Sequence, residues 1–183
     1  MFIQTEDTPN PDSIKFIPGV EVSPGKPTNF TSSEECSKSP LAEILFSLGY
    51  INGVFFGNDF ITITKKTDKD WTVIKAEILL TLMEYFSSNK KVMIDDVENT
   101  IIYSADDDNI VKQIKEIIEH KVRPAVAQDG GDIIFHSFEE GIVKLELHGA
   151  CSGCPSSTVT LKNGIENMLK HYVPEVKSVE AVS

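Results

Sequence analysis

The chain has 183 residues, which is enough for one ordinary domain or two small ones. Its 28 acidic and 17 basic residues give a formal net charge of −11, while 40% apolar residues are typical of a soluble globular protein. Because so acidic a chain repels phosphate groups and no lysine or arginine cluster offsets the charge, we expect neither nucleic acids nor anionic membranes as partners. The most apolar stretch, residues 78–83, is far too short to span a bilayer.

The beginning of the chain does not resemble a targeting signal. Residues 1–12 contain no basic region followed by an apolar one, and they are too acidic for a transit peptide. Three cysteines without an export signal favour a reducing compartment, where thiols bind metals or carry out redox chemistry. We therefore expect a cytosolic protein, or one made inside an organelle.

The first part of the chain predicts a small α/β domain over residues 1–88. Its predicted elements are extended segments over 2–5, 14–17, 51–56 and 60–64, a helix from Ser39-Pro40 to Gly49, and a helix over 70–86. Residues 18–35 are rich in Pro, Gly, Ser and Thr and predict a long loop. Apolar residues of the second helix recur at helical spacing, which predicts a core-facing stripe that includes Trp71.

A polar, turn-rich stretch follows and predicts an acidic linker over residues 89–107. It leads into three successive aspartates, Asp106 to Asp108, whose side chains diverge and are not expected to hold a metal ion. The composition therefore predicts a domain boundary here.

The remaining residues, 108–183, predict a second domain in the order helix, hairpin, helix, strand. A helical stripe runs from Ile110 to Val122, and a turn over Asp129–Asp132 leads into a strand over 133–138. Apolar and polar residues alternate in the next strand, over 143–148, and residues 176–182 predict an edge strand. Between them a helix begins at Pro155, and its predicted inward side is Thr158, Leu161, Ile165, Met168 and Tyr172.

These elements give the predicted fold class, α/β (α+β). It comprises two small domains, each with a short mixed sheet and two packed helices.

A Cys-x-x-Cys motif carries the chemistry of the second domain. Cys151 and Cys154 can direct both sulfurs at one centre, and Gly149 and Gly153 allow a tight turn and close approach of a ligand. The helix that begins at Pro155 places its positive end beside Cys154. That environment is expected to lower a thiol pKa and favour the thiolate, which binds metals and attacks disulfides.

The motif is compatible with three kinds of site. A thioredoxin-type redox pair is expected near a β-α-β unit, which the predicted order of elements does not show. A zinc site needs four ligands, but the chain has one such cysteine pair. Cys36 lies in a loop of the other domain and is expected to be incidental, while His148 lies on the polar face of its strand and is expected to face solvent. His120, His136 and His171 have no ligand spacing.

The third kind of site is an iron–sulfur cluster, which also needs four cysteine thiolates. One chain supplies two, so two chains supply 2 × 2 = 4, and a cluster shared across a homodimer satisfies the requirement. A ferredoxin instead uses four cysteines of one chain, and this chain has three. The spacing alone does not choose between iron–sulfur and zinc.

An ordered series of residues carries a family resemblance. The series is Val122-Arg123-Pro124, Asp129–Asp132, Gly141–Gly149 with alternating apolar positions, Cys151–Ser157, Thr160–Glu166 and Pro174–Val176. Over about residues 108–182 it closely resembles the NifU C-terminal (Nfu-type) domain. Thr8–Pro11, Ile14–Phe16 and the region through Phe86 resemble, more loosely, the N-terminal domain that precedes it in mitochondrial and α-proteobacterial Nfu proteins.

The resemblance implies an iron–sulfur cluster carrier and not an enzyme. Such proteins receive an assembled [4Fe–4S] cluster and pass it to apo-enzymes, in some systems lipoyl synthase or aconitase-like targets. By motif position Cys151 and Cys154 are the ligands, so the loaded form is expected to be a homodimer whose partners are upstream cluster-assembly proteins and apo iron–sulfur enzymes.

The same resemblance bears on location and on catalysis. Mitochondrial members carry a transit peptide that this chain lacks, which favours a bacterial cytoplasm, or the mitochondrial matrix if the chain is a mature form. Nothing in the sequence resembles a catalytic acid–base set, because Asp129 and Asp132 are typical turn and strand-entry residues.

Overall fold

The structure is a computed structural model that describes residues 2–94, 109–152 and 155–182, without the side chains of 155–158. The chain folds into two compact units, Met1–Asn99 and Thr100–Ser183. Each unit combines a sheet with helices, which confirms the predicted fold class. None of the helices in the described ranges is both long enough and apolar enough to span a membrane.

The first unit is a five-stranded sheet covered by two helices. Its elements are β1 (Gln4–Asp7), β2 (Ser13–Ile17), β3 (Thr28–Phe30), a 3₁₀ helix (Ser33–Lys38), α1 (Pro40–Ser47), β4 (Ile51–Phe56), β5 (Ile61–Lys65) and α2 (Trp71–Ser87). The strand order is β1-β2-β5-β4-β3. Every neighbouring pair of strands is antiparallel. This sheet is therefore purely antiparallel, whereas the sequence predicted a mixed sheet.

Strand register gathers the apolar residues of this sheet on one face. Phe16 and Phe56 both lie opposite Ile61, and Val54 lies opposite Ile63, so these side chains share a face. They form one core with the buried stripes of α1 and α2, which are Leu41, Ala42 and Leu45, and Ile74, Ile78, Leu82 and Tyr85. Trp71 packs partly buried against that core, as predicted, and its indole Nε1 donates a hydrogen bond to the Pro11 carbonyl at 3.0 Å.

Two parts of the first unit differ from the sequence expectation. The segment predicted as a loop over residues 18–35 contains β3 and the start of the 3₁₀ helix. β3 has only three residues, one of them apolar, and it becomes a strand by pairing with β4. The start of the predicted linker packs on the unit, since Val92 is buried in the core and the Ile94 amide donates to the Lys38 carbonyl at 2.9 Å. Residues 95–107 of that linker, and the aspartates 106–108, lie outside the described residues.

The second unit is a three-stranded sheet with helices on one face. Its elements are α3 (Asn109–Ile117), a π-helical turn (Ile118–Val122), α4 (Arg123–Gln128), β6 (Gly131–Glu139), β7 (Ile142–Gly149), α5 (Pro155–Tyr172) and β8 (Ser178–Val182). In the order β6-β7-β8, the first pair is antiparallel and the second is parallel. β7, α5 and β8 therefore form a β-α-β unit, contrary to the expectation that no such unit accompanies the motif.

The core of the second unit lies between the sheet and the helices. Ile133, Val143 and Leu145 supply buried sheet residues, the helices add Ile114, Ile118, Val122, Val126, Ile165 and Leu169, and Val173 follows directly after α5. The predicted inward side of α5 is partly wrong, and the side chain of Thr158, which was part of it, lies outside the described residues. Ile165 is buried, and Leu161 and Met168 contact the core, but Tyr172 is 49% exposed because Leu169 and Val173 continue the buried line instead.

Candidate metal centre

Cys151 lies on a tight turn between β7 and α5. Gly149, the last residue of β7, has φ +66°, a conformation that glycine adopts without strain. The Ser152 amide donates to the Gly149 carbonyl at 3.1 Å and closes the turn, while the Ala150 amide donates to the Gly130 carbonyl at 3.1 Å. The turn is thereby tied to the loop that precedes β6. Gly153 and Cys154 lie outside the described residues, so the second predicted ligand is not placed.

The Cys151 sulfur packs directly against the backbone at the start of β6. A Cβ atom added to Gly131 would lie 2.4 Å from Cys151 Sγ and 2.9 Å from the His148 carbonyl oxygen. Only a residue without a side chain fits there. Cys151 itself is 6% exposed and belongs to the core of the second unit. The missing side chain of Gly131 is what allows the sulfur to pack this closely against the backbone.

The thiol of Cys151 is held in its protonated form. Burial raises the pKa of Cys151 to about 12, and the negative charges of Asp129 and Asp132 add to that shift. From the sequence we expected the start of α5 to lower the pKa of a cysteine thiol beside it. Cys154, the nearer of the two cysteines, is not among the described residues. At Cys151 the opposite holds, because desolvation dominates its surroundings.

An ion-pair network fixes the start of β6, which carries Gly131. Arg123 donates from Nε to Asp132 Oδ1 at 2.8 Å and from Nη2 to Oδ2 at 2.9 Å, a two-point contact with a carboxylate that is 7% exposed. The same guanidinium donates from Nη1 to Glu119 Oε2 at 2.6 Å. Asp132 also accepts from the Ile133 amide at 2.8 Å. From the sequence we expected Asp132 to be a strand-entry residue, and its pairing with Arg123 was not predicted.

The histidines do not gather at Cys151. His148 was expected to face solvent, but its side chain is 13% exposed, its Nε2 lies 2.8 Å from Glu146 Oε1, and its buried Nδ1 has no hydrogen-bond partner within the described residues. His171 stacks edge-on with Tyr172, 5.0 Å between ring centroids. Within the described ranges no three His, Cys, Asp or Glu side chains are placed to hold one metal ion.

Cys36 lies in the first unit. It is buried in the 3₁₀ helix, and its Sγ donates to the Ser32 carbonyl at 3.4 Å. Burial raises the pKa of Cys36 to about 11, with added shifts from Glu35 and Glu43. Its surroundings are those of a core thiol.

The β-α-β unit around the turn removes one argument against a redox pair. A catalytic thiol, however, needs a lowered pKa and access to solvent, and Cys151 has a raised pKa and 6% exposure. The redox interpretation is therefore opposed by the state of the thiol and no longer by the topology.

Comparison with known proteins places the chain in a family. The model of the NifU-like domain matches residues 114–180, and the model described as scaffold protein Nfu/NifU N terminal matches residues 3–89. A human protein named NFU1 iron-sulfur cluster scaffold homolog, mitochondrial, is 47% identical over 183 residues, which are 100% of this chain and 72% of that protein. The chain belongs to the Nfu family.

Other Nfu relatives extend beyond the aligned region. A Drosophila persimilis protein of the same name is 50% identical over 184 residues, which are 100% of this chain and 65% of that relative. The chain thus spans just under two thirds of the length of such relatives. A solution NMR structure of a NifU-like protein from Saccharomyces cerevisiae aligns with 52% of this chain and 87% of its own, at 25% identity and a TM-score of 0.47.

Proposed function

We propose that this Nfu-family chain binds a [4Fe–4S] cluster as cargo between two copies of itself, through Cys151 and Cys154, and passes it to apo-proteins. The family assignment and the scaffold names of the relatives support the cluster and a non-catalytic role. The observation that carries the proposal is the Cys151 turn, which backbone hydrogen bonds from Ser152 and Ala150 hold in place and in which the sulfur packs against Gly131.

The donor set fits a shared cluster better than a resident one. A four-iron cluster takes four thiolates, and the motif supplies two per chain. A second copy completes the set without another ligand. Because each chain holds half of the ligands, an acceptor that offers its own thiolates can replace them in steps, as a carrier requires.

The protonated state of Cys151 suits a carrier that alternates between loaded and empty forms. Ligand thiols must lose their protons when metal binds, so loading releases protons. In the empty form the raised pKa keeps Cys151 poorly nucleophilic and protects it from oxidation and disulfide exchange.

The partners and the compartment belong to the same proposal. Upstream cluster-assembly proteins would load the chain, and apo iron–sulfur enzymes would receive the cluster. The curated relatives are named as mitochondrial proteins. We therefore propose the mitochondrial matrix as a second candidate compartment, in addition to the bacterial cytoplasm that the sequence favoured.

The test is anaerobic reconstitution of full-length protein with iron and sulfide. We expect brown protein with about four iron and four sulfide per dimer. Cys151→Ser and Cys154→Ser should each abolish a stable cluster, whereas Cys36→Ser, a matched change of a buried thiol, should keep it. Sedimentation should show the loaded protein as a dimer.

Each alternative has a distinct outcome. Colourless protein with stoichiometric zinc would make the motif a zinc site, and reversible oxidation of Cys151 with Cys154 without cluster binding would make it a redox pair. A cluster-loaded monomer, or a cluster that survives Cys151→Ser but not Cys36→Ser, would contradict the proposal.

A further inference from the structure

The first unit carries a groove, and none of the described residues that line it is a cysteine. It encloses about 610 Å³ between the loop that follows β2, the end of α2 and the segment after α2. Its apolar lining includes the buried Val22 and Val92 and the partly buried Phe86 and Met93. Phe2 and Val20, 85% and 46% exposed, extend this apolar surface to the rim. The volume lies within the range of ligand-binding pockets, about 300–1,000 Å³.

Hydrogen bonds hold both walls of the groove in place. On one side the Val22 amide donates to the Asn58 carbonyl at 2.8 Å. On the other side Tyr85 Oη donates to the Lys91 carbonyl at 2.6 Å, and Ser39 Oγ donates to the Val92 carbonyl at 2.6 Å. Because both walls are tied to helices or to the neighbouring hairpin, the groove is formed before anything binds, which lowers the entropic cost of binding.

The groove also differs in charge from the rest of the chain. Among the described residues, Lys26, Lys90 and Lys91 line the groove together with one acid, Glu21, a local formal charge of 3 − 1 = +2. The whole chain carries −11. A basic, apolar groove on an acidic protein complements a ligand that combines negative charge with apolar side chains.

We infer that this groove docks an acidic peptide segment of a partner protein, with at least one bulky apolar side chain of that segment inserted between Val22 and Phe86. The apolar lining would bury the side chain, and the three lysines would attract the carboxylates that flank it. Nucleic acid does not fit, because its phosphates would leave the apolar lining unused while the chain's net charge repels them.

The experiment selects random dodecapeptides displayed on phage against full-length, metal-free protein, and measures the binding of the enriched peptides by fluorescence polarisation. We expect enriched peptides to carry net negative charge and an aromatic or large aliphatic residue. The double variant Lys26→Glu/Lys90→Glu should bind the enriched peptides about tenfold or more weakly than the unaltered protein. Raising the salt concentration should reduce the peptide affinity of this variant less than that of the unaltered protein. Val20→Ser should weaken peptide binding too.

A matched charge reversal provides the control. Lys69→Glu changes an exposed lysine of the same unit that does not line the groove, and it should leave peptide binding unchanged. Trp71, the single tryptophan, reports by fluorescence whether each variant keeps the first unit folded. This test uses metal-free protein and measures only peptide binding. Its result therefore does not depend on whether the chain binds a cluster.

Several results would overturn the inference. Neutral or basic enriched peptides, or binding that Lys26→Glu/Lys90→Glu and Val20→Ser leave intact, would show that the groove does not select this chemistry. Sodium dodecanoate binding without peptide enrichment would make it a site for a small amphiphile. Peptide binding only after replacement of residues 95–108 by glycine and serine would assign the groove to the chain's own acidic segment.

Discussion

The two units each bury a thiol, and the surroundings of those thiols differ. Cys36 and Cys151 are 2% and 6% exposed, and burial raises the pKa of both. Cys36 lies within a 3₁₀ helix, where its sulfur donates to the Ser32 carbonyl. Cys151 instead lies on a turn that ends a strand, against a glycine that can carry no side chain without a clash.

This comparison shows that neither burial nor thiol pKa separates a structural cysteine from a candidate ligand here. What differs is the backbone around each sulfur. In the first unit the sulfur lies among core side chains, whereas in the second it also packs directly against the backbone of Gly131, at a strand start that the Arg123–Asp132 ion pair fixes. Changes to that backbone should therefore affect the second unit alone.

The largest effect is expected from Arg123→Gln. The change leaves the Asp132 carboxylate buried without its charged partner, which should lower the free energy of unfolding of the second unit by about 2–3 kcal/mol. This loss is at or below the range usual for removing one partner of a fully buried ion pair, because the Arg123 side chain is 27% exposed. Urea unfolding followed by far-UV circular dichroism measures the loss, while Trp71 fluorescence should show the first unit unchanged.

Two variants test whether the ion pair causes that loss. Lys144→Gln removes an exposed contact of 3.5 Å to Glu139 in the same unit and should change stability by under about 0.5 kcal/mol. Adding Asp132→Asn to Arg123→Gln should recover part of the loss, because the amide can remain buried without a counter-charge. Equal losses from Lys144→Gln and Arg123→Gln would contradict the prediction.

The next effect is expected from Gly131→Ala. The added methyl group would lie 2.4 Å from Cys151 Sγ, so the turn must shift, at a cost of about 1–3 kcal/mol, and the reconstituted protein should retain less iron. Gly164→Ala is the matched control. Its Cβ would meet nothing within 4 Å and it lies inside α5, so it should stabilise the unit by about 0.5–1 kcal/mol and keep the iron content. Identical behaviour of the two variants would show that the close contact between Gly131 and the Cys151 sulfur has no role.

Sequence patterns predicted the helices and strands in which apolar residues recur at a regular spacing. They missed features that depend on a residue far away in the sequence. The stripe of α2 and the alternation of β7 were both visible as periods. β3 was missed because its three residues become a strand by pairing with β4, far along the chain. The motif located Cys151, but its raised pKa and the Arg123–Asp132 pair depend on packing that residue spacing does not encode.

A smaller effect, confined to the first unit, is expected from Ser39→Ala. The Ser39 hydroxyl accepts from the Ala42 amide at 3.2 Å, which caps α1, and donates to the Val92 carbonyl at 2.6 Å. Losing the cap and one buried hydrogen bond should cost about 1–2 kcal/mol. The urea midpoint from Trp71 fluorescence should fall, with iron content per dimer unchanged. A loss of bound iron in this variant would mean that the two units are not separate in function.

The most narrowly confined effect is a pH dependence of stability that comes from the single thiol of Cys36 in the first unit. Burial raises the pKa of Cys36 from 9.0 to about 11, so the folded unit keeps the proton that the unfolded chain releases. This contribution to stability is complete below pH 9 and is lost as pH rises from 9 to 11, because the unfolded state then binds fewer protons than the folded one. Cys36→Ala should be less stable at pH 8, where it leaves a small cavity, but should lose less stability between pH 9 and 11 than the unaltered chain. Other groups of the first unit whose pKa is raised by burial, such as Tyr85, are common to both proteins and cancel in the difference. Parallel pH profiles of the two urea midpoints, followed by Trp71 fluorescence, would show that Cys36 keeps an ordinary thiol pKa and that the first unit does not desolvate it as its core packing implies.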